Sequence, residues 1–205
     1  MAHQIQYVFW DSDNTLVETA EHHWRKHVET LKNLGMTLDE KYRKDVYENN
    51  GVQNWTWMRE KLGLEMSQEN YLDAIDQWYF DHIDEIEVRS GVLDALENFK
   101  KNGVPQAVVS NGRRRSVMAA LKAKKLAPFF EFVLCKEDYE GRKPEPAPYL
   151  AALKTMEDKT GGKVPPANCL VVEDDPLGVK AGEAAGMVVL HRPVGDKTPF
   201  NLLLS

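Results

Sequence analysis

The stretch FWDSDNTL, residues 9–16, places two carboxylates, Asp11 and Asp13, directly after a short run of β-branched and aromatic residues. That run, from Ile5 to Trp10, predicts a strand, and the polar residues after it predict a turn at the strand's C-terminal end. Two carboxylates at this spacing can face one crevice. One can attack phosphorus as a nucleophile, and the other can protonate a leaving oxygen and later deprotonate water. A turn that is merely rich in Asp and Asn is the alternative, and spacing alone does not separate the two.

Downstream of Ser90, predicted strands alternate with predicted helices, which indicates βαβ units and a parallel sheet. Between the first strand and this region the spacing is helical, with Gly35, Gly51 and Gly63 at predicted helix ends. We therefore predict an α/β core from residues 1–16 and 89–205, interrupted by an α-helical insertion at residues 17–88. The predicted core strands are Pro105–Val109, Phe132–Cys135, Cys169–Val172 and Met187–Leu190, and the predicted core helices are Val92–Asn102, Arg114–Lys124, Tyr149–Lys159 and Gly178–Ala185.

The insertion carries apolar residues at helical offsets of three and four, which indicate helix, and Gly35 within this pattern predicts a helix end. These residues are Trp24, Val28, Leu31, Leu34 and Leu38.

Polar clusters follow three of the predicted core strands. In an open α/β sheet the ligand crevice lies at the C-terminal ends of the strands, so these clusters are expected to converge there. An acidic end on one strand is unremarkable, but three converging polar ends are the strongest signal in the sequence. The clusters are Asp11 with Asp13, Ser110 with Asn111, and Glu173 with Asp174 and Asp175.

Glu173 and Asp174 would bring further carboxylates to the edge that holds Asp11. Carboxylate oxygens suit Mg²⁺, a hard cation, and crowding them without a cation is opposed by like-charge repulsion. A metal also allows an anionic carboxylate to attack an anionic phosphate. The alternative is a helix N-terminus with acidic residues that interact favourably with its dipole.

Ser110, Asn111 and Gly112 combine a hydroxyl, an amide and a backbone N–H at a strand-to-helix turn, which predicts a phosphate cradle. Ser and Asn are also ordinary helix caps. Lys143 stands beside Pro144 in a loop, where its ammonium can reach a phosphate and an aspartate. Taken alone, it is more typical of a surface lysine.

In this order and spacing the four elements resemble the haloacid dehalogenase superfamily, over nearly the whole chain. Asp11 to Thr15 is similar to its first motif, Ser110 to its second, Lys143 to its third, and Glu173-Asp174 to its fourth. The resemblance implies a Rossmann-like parallel sheet core, an inserted helical cap of the C1 type, and Mg²⁺. It points to the branch of phosphatases and β-phosphoglucomutases.

The resemblance also implies roles for individual residues. Asp11 would be the nucleophile and a metal ligand, and Asp13 would be the acid/base and ligate Mg²⁺ through its carbonyl. Asp174 would bind the metal, and Glu173 would bind it directly or through water. The expected phosphate- and substrate-binding residues are Ser110, Asn111, Gly112, Lys143, Thr15 and His23.

Asn14 differs from the first motif of this family, which often has Gly at that position. Asn is the side chain that best tolerates a left-handed backbone after Gly, so we expect the turn to be kept.

A site of this kind can serve four functions, and individual residues bear on each. Asp13 argues against dehalogenation, because by resemblance the dehalogenases lack it and a halide needs no proton. His23 matches a residue near the catalytic acid of β-phosphoglucomutases, but Asn54 stands where those enzymes carry a phosphate-gripping arginine. We therefore expect a Mg²⁺-dependent phosphatase acting through an aspartyl-phosphate on a sugar phosphate or a phosphoglycolate-like metabolite. The alternatives are a β-phosphoglucomutase-like phosphotransferase and a non-catalytic module that binds a phosphorylated ligand.

The composition of the chain limits the kinds of partner that it can bind. The 205 residues carry a net charge of −6, which disfavours nucleic acid because phosphate-backbone binding needs a basic face. Cys135 and Cys169 lie in apolar runs and form no disulfide or metal-binding spacing. Neither a signal peptide nor a membrane span is visible. We therefore expect a cytoplasmic protein that is a monomer or a weak dimer. Its expected partner is a small phosphorylated metabolite, and neither nucleic acid nor a membrane is expected.

Overall fold

The computed structural model of the chain describes residues 4–198 and 200, apart from the side chain of residue 48. It divides the chain into two compact units. The first unit runs up to Glu18 and resumes at Glu87, and the second is Thr19–Ile86.

The first unit is built on a five-stranded parallel sheet with flanking helices, which confirms the predicted Rossmann-like α/β class. Its strands in chain order are β1 (Tyr7–Trp10), β2 (Val17–Glu18), β3 (Glu87–Val88), β4 (Gln106–Val109), β5 (Val133–Leu134), β6 (Cys169–Glu173) and β7 (Val188–His191). The large sheet has the order β5-β4-β1-β6-β7, and β2 pairs with β3 in a separate antiparallel ladder.

Eight α-helices are described. Those of the second unit are α1 (Ala20–Asn33), α2 (Arg43–Glu48), α3 (Gly51–Leu62) and α4 (Gln68–Asp81). Those of the first unit are α5 (Val92–Lys101), α6 (Arg114–Ala123), α7 (Ala147–Thr160) and α8 (Pro176–Ala184).

The central strand β1 is buried on both faces, as a strand in a covered parallel sheet must be. On one face, Phe9 belongs to a core cluster with Tyr149 of α7 and Ala181 of α8. On the other face, the ring of Trp10 packs edge-on against Phe99 of α5, with 6.3 Å between ring centroids. Because β1 pairs with both β4 and β6, its C-terminal end lies between the ends of those two strands.

The helical unit has a core of its own, in which α1 packs on α4. At its centre Nδ1 of His27 lies 2.5 Å from the hydroxyl of Tyr71, which donates to Sδ of Met58 at 3.0 Å. The other buried apolar residues of this core are Trp24, Leu31, Leu38, Val46, Leu64 and Ile75. Within residues 4–198, no helix is long and apolar enough to cross a membrane.

The predicted helix end at Gly35 is confirmed. Helix α1 ends at Asn33, because Gly35 adopts a left-handed conformation with φ of 74° and stops the helical hydrogen-bonding pattern. Leu34 is 43% exposed, whereas Leu38 is buried in the core from a segment beyond the helix. An apolar spacing of three and four therefore continued past the true helix end.

Candidate active site

Asp11 directly follows β1, and its backbone N–H donates to the carbonyl of Val172 in β6 at 3.0 Å. The chain then turns sharply. Asn14 has φ of 55°, and its N–H donates to the carbonyl of Val17 at 2.7 Å. The expectation that Asn14 keeps the left-handed turn is confirmed, and this turn carries Asp13 beside the end of the central strand.

Lys143 is the centre of the site. Its Nζ donates to Oδ1 of Asp11 at 2.6 Å, to Oε1 of Glu173 at 2.5 Å and to the carbonyl of Val109 at 2.8 Å. The side chain is 5% exposed. Burial by itself would lower the pKa of Lys143, but the charges of Asp11 and Glu173 outweigh it and raise that pKa well above its ordinary value. Lys143 is therefore a buried cation and not a surface lysine.

Glu173 ends β6 and is held on both carboxylate oxygens. Besides Lys143, Oε1 accepts from the hydroxyl of Tyr149 at 2.7 Å, and Oε2 accepts from the backbone N–H of Asp174 at 3.2 Å. The carboxylate also packs directly on Gly178 of α8: a Cβ added there would lie 1.9 Å from Oε1. Only glycine at this position leaves room for Glu173.

Asp11, Glu173 and Asp174 each offer an oxygen, and these three oxygens lie within 4.8 Å of one another. The cluster holds three carboxylates, and one ammonium, that of Lys143, pairs with two of them, which leaves excess negative charge. Burial raises the pKa of Asp11 well above its ordinary value, and the charge of Glu173 adds to the rise. The same two causes raise the pKa of Asp174 to about 7. Hard oxygen donors with unbalanced negative charge are a donor set that fits Mg²⁺.

The residues predicted to form a phosphate cradle, Ser110, Asn111 and Gly112, follow the end of β4. Oγ of Ser110 accepts from the N–H of Gly112 at 3.0 Å. Oδ1 of Asn111 accepts from the backbone N–H of Lys143 at 3.2 Å, and the hydroxyl of Tyr139 donates to the Ser110 carbonyl at 2.7 Å. The second and third predicted motifs are thus hydrogen-bonded to each other.

The remaining members of the first motif also reach this edge of the sheet. A Cβ built on Gly112 would lie 3.5 Å from Oδ2 of Asp13, which places that carboxylate beside the cradle. Oγ1 of Thr15 donates to Oδ1 of Asp174 at 2.9 Å. Thr15 thus contacts an acidic residue of the fourth motif, a contact that its predicted place in substrate binding did not include.

Asp175 has a structural role. Its Oδ1 accepts from the N–H of Leu177 at 2.6 Å, which caps the first turn of α8. Of the three acidic residues at the end of β6, Glu173 and Asp174 belong to the carboxylate cluster and Asp175 caps a helix.

His23 and Asn54 belong to the helical unit. The ring of His23 stacks on Tyr79 with 5.3 Å between centroids, and its Nδ1 lies 3.2 Å from Nζ of Lys26. Asn54 is 1% exposed, and its Nδ2 donates to the carbonyl of Val46 at 2.8 Å. The predicted role of His23 at the catalytic acid stays a prediction.

Sequence reasoning missed Tyr139, Tyr149 and Arg89. Tyr149 lies 24 residues before its partner Glu173, and Tyr139 lies 29 residues after Ser110. Arg89, at the end of β3, bonds backbone carbonyls as far away as residue 196. A carbonyl partner has no side-chain signature, so no local pattern marks such contacts. A weaker signal was position along the chain. Tyr139 and Tyr149 lie within a few residues of Lys143, and Arg89 lies at the predicted boundary between the insertion and the core.

Comparison with known proteins places this site in a family. A family model described as haloacid dehalogenase-like hydrolase matches residues 8–191. Protein CbbY of Rhodobacter capsulatus is 29% identical over 93% of this chain and 86% of its own length. Pyrophosphatase PpaX of Bacillus cereus strain Q1 is 29% identical over 89% of this chain and 81% of its own.

Solved structures show the same fold. CbbY of Rhodobacter sphaeroides, in complex with phosphate, has a TM-score of 0.77 at 23% identity and covers 93% of this chain and 87% of its own. β-Phosphoglucomutase of Clostridium difficile has a TM-score of 0.73 at 20% identity, covering 92% and 84%. Because the family model spans most of the sequence and all four predicted motifs, this chain belongs to the haloacid dehalogenase-like hydrolases and is an enzyme of that superfamily.

Proposed function

We propose that this protein is a Mg²⁺-dependent phosphatase that hydrolyses a small phosphorylated metabolite through an aspartyl-phosphate on Asp11. One observation carries the proposal: buried Lys143 fixes Oδ1 of Asp11 at 2.6 Å within a cluster of three carboxylates. Because Lys143 holds Oδ1, we assign the attack on phosphorus to the other carboxylate oxygen, Oδ2.

In the first step Oδ2 of Asp11 forms a bond to phosphorus while the bond from phosphorus to the leaving oxygen breaks. Asp13 gives its proton to that oxygen, so the organic group departs as a neutral alcohol. In the second step Asp13 takes a proton from water, whose oxygen attacks phosphorus and releases phosphate from Asp11. Lys143 fixes Asp11 and offsets negative charge throughout.

The metal would be held by Asp11, Asp174 and the carbonyl of Asp13. When bound, Mg²⁺ offsets charge on the phosphoryl oxygens and lets two anions approach. Both oxygens of Glu173 already accept hydrogen bonds from protein groups, which favours contact through water over direct ligation. The hydroxyl of Ser110 and the amide of Asn111 would donate to the phosphoryl group, and the N–H of Gly112 holds the Ser110 hydroxyl in place.

Water is favoured over a second sugar phosphate as the acceptor. A mutase must grip the far phosphate of a bisphosphate, and the resemblance places that grip at the position of Asn54. This side chain is buried, and its amide is bonded to the carbonyl of Val46. Asn54 is thus engaged within the helical unit and offers no cation to a second phosphate.

The proposal is tested with p-nitrophenyl phosphate, with and without Mg²⁺. We expect hydrolysis that EDTA abolishes and that Asp11→Asn lowers by at least about 1,000-fold, since loss of a nucleophile removes the covalent route. Asp158→Asn is the matched control, because Asp158 is exposed on α7 and forms an exposed ion pair with Lys154 of the same helix. Normal turnover in Asp11→Asn would contradict the proposal.

A panel of phosphorylated metabolites, assayed for phosphate release, would define the substrate. The names of the relatives suggest two additions, since PpaX is called a pyrophosphatase and a Rhodobacter sphaeroides CbbY variant was solved with xylulose 1,5-bisphosphate. The panel should therefore include pyrophosphate and sugar bisphosphates beside hexose phosphates and phosphoglycolate.

A further inference from the structure

Arg89 is a buried cation that pairs with no carboxylate among the described residues, and its hydrogen bonds run to backbone carbonyls. Nη1 donates to the carbonyls of Asn14 and Arg192, each at 2.6 Å. Nη2 donates to the carbonyl of Pro193 and, at 3.2 Å, to that of Asp196. The side chain is 4% exposed. One guanidinium thus joins three chain segments that are far apart in sequence.

Two of these carbonyls lie next to the active-site carboxylates. The Asn14 carbonyl belongs to the left-handed turn that follows Asp13, one residue before the Thr15 hydroxyl that donates to Asp174. The Arg192 carbonyl belongs to the residue whose backbone N–H donates to the carbonyl of Glu173 at 2.7 Å. Arg89 therefore ties the turn after β1 to the segment that holds the end of β6.

Only arginine provides this pattern. Its guanidinium is a planar fork with five N–H donors and stays charged at any physiological pH. The three donors of a lysine radiate from one nitrogen and cannot reach carbonyls on both arms of the fork at once. A purely apolar replacement would leave four carbonyls without this donor, at a site where water has little access.

Arg192 is a natural contrast. It is 1% exposed, and among the described residues no group accepts a hydrogen bond from its guanidinium. Its guanidinium carbon lies 4.5 Å from the centre of the Phe200 ring. The two arginines share burial and charge, but only the side chain of Arg89 bonds the turn after Asp13.

We infer that Arg89 is a positioning residue for the reaction proposed above: its guanidinium fixes the Asn14 carbonyl and so sets the turn that presents Asp13. The inference rests on the proposed function only for its kinetic consequence. The restraint on the turn is a property of the fold and can be measured without any substrate.

The test compares Arg89→Met, Arg89→Lys and the control Arg192→Met, each below its own unfolding temperature. Hydrogen exchange is followed by mass spectrometry in peptides covering residues 11–18. We expect exchange there to be at least about tenfold faster in Arg89→Met than in the natural protein. Arg89→Lys should lie between them, and Arg192→Met should match the natural protein.

Kinetics with p-nitrophenyl phosphate give the second readout. If Asp13 is misplaced, the transition state is destabilised more than the bound substrate is. Arg89→Met should therefore lower kcat by about 100-fold and change KM by less than about threefold. Partial recovery in Arg89→Lys supports the inference.

Unchanged exchange in residues 11–18 of Arg89→Met overturns the inference, whatever the kinetics show. An equal loss of kcat in Arg192→Met also overturns it, since the effect would then follow from losing any buried cation there. If the natural protein releases no phosphate with Mg²⁺, the proposed function fails, and the exchange comparison still decides the role of Arg89.

Discussion

Lys143 uses three donors on three acceptors, two of which are buried carboxylates. Its partners come from three strands: Val109 ends β4, Asp11 follows β1 and Glu173 ends β6. Removal of this cation would leave Asp11 and Glu173 buried and facing each other without compensation. A charge left alone in this way is more costly than the intact pair is favourable.

We therefore expect Lys143→Met to lower kcat by at least about 100-fold, by loss of a preorganised cation at the reacting phosphate. The free energy of unfolding should fall by about 3 kcal/mol or more. Urea denaturation and steady-state kinetics measure the two effects. Lys154→Met is the control, because Lys154 is exposed and pairs with Asp158 on the same helix. If Lys143→Met and Lys154→Met changed kcat and the free energy of unfolding equally, Lys143 would not hold the site together as argued.

At the residue scale, the sequence predicted the side chains that meet at the site better than the contacts they make. Asp11, Glu173 and Lys143 were predicted from strand ends and resemblance, and the structure brings Lys143 within hydrogen-bonding distance of both carboxylates. Tyr149 was not predicted, because its role depends on the way α7 packs beside β6. Asp175 was grouped with the acidic cluster, although a carboxylate one residue before a proline-led helix is also a natural N-cap.

At the scale of elements, the packing of α8 against β6 determines where Glu173 lies. Helix α8 begins at Pro176, two residues before the predicted start at Gly178, because Asp175 caps it and proline suits the first helical position. Gly178 therefore lies within the helix, and its Cα faces the Glu173 carboxylate. A side chain at residue 178 would push this carboxylate away from Lys143 and Tyr149.

Gly178→Ala should consequently lower stability by about 1–3 kcal/mol through overpacking and lower the affinity for Mg²⁺. Differential scanning calorimetry and a Mg²⁺ titration of activity measure the two effects. Gly162→Ala is a suitable control, because the nearest atom to an added Cβ there is the Tyr7 hydroxyl at 3.9 Å. If Gly178→Ala and Gly162→Ala behaved alike, the close approach of α8 to Glu173 would not matter.

The strands of the five-stranded sheet and the helices of the first unit were predicted to within a few residues, whereas β2 and β3, which fall in the predicted helical insertion, were not predicted. The strand order was not predicted either, since alternating βαβ units specify a parallel sheet and not the neighbour of each strand. In the helical unit, Gly35 marked the end of α1 correctly, although Leu38 continues the apolar spacing from a different segment of the core. Local periodicity identified the helices, and glycine identified where this one ends.

For the molecule as a whole, family, fold class and enzyme class were predictable because the motifs are spread from residue 11 to residue 174. No such spread of signals exists for the substrate. Its organic group would be recognised by side chains outside the four motifs, and neither charge nor spacing marks those side chains.

The acidic cluster also links the stability of the whole molecule to pH and Mg²⁺. Asp174 has a pKa of about 7 in the folded protein, against an ordinary value of 3.8, through burial and the charge of Glu173. A carboxyl whose pKa is raised by folding stabilises the fold while it is protonated. This contribution is complete below the unfolded pKa and is lost as the pH rises through about 7. Mg²⁺ competes with that proton, so its stabilising effect should grow over the same interval.

We expect saturating Mg²⁺ to raise Tm more at about pH 8 than at about pH 5.5, where protonated carboxyls oppose metal binding. Thermal unfolding with Mg²⁺ or EDTA at both pH values measures the difference. Asp174→Asn keeps an oxygen for the Thr15 hydroxyl but cannot ionise, so its Mg²⁺ effect should be small and nearly independent of pH. Asp158→Asn, which alters only an exposed ion pair, should behave as the natural protein does. An equal Mg²⁺ shift at both pH values in the natural protein would show that protons and metal do not share this cluster.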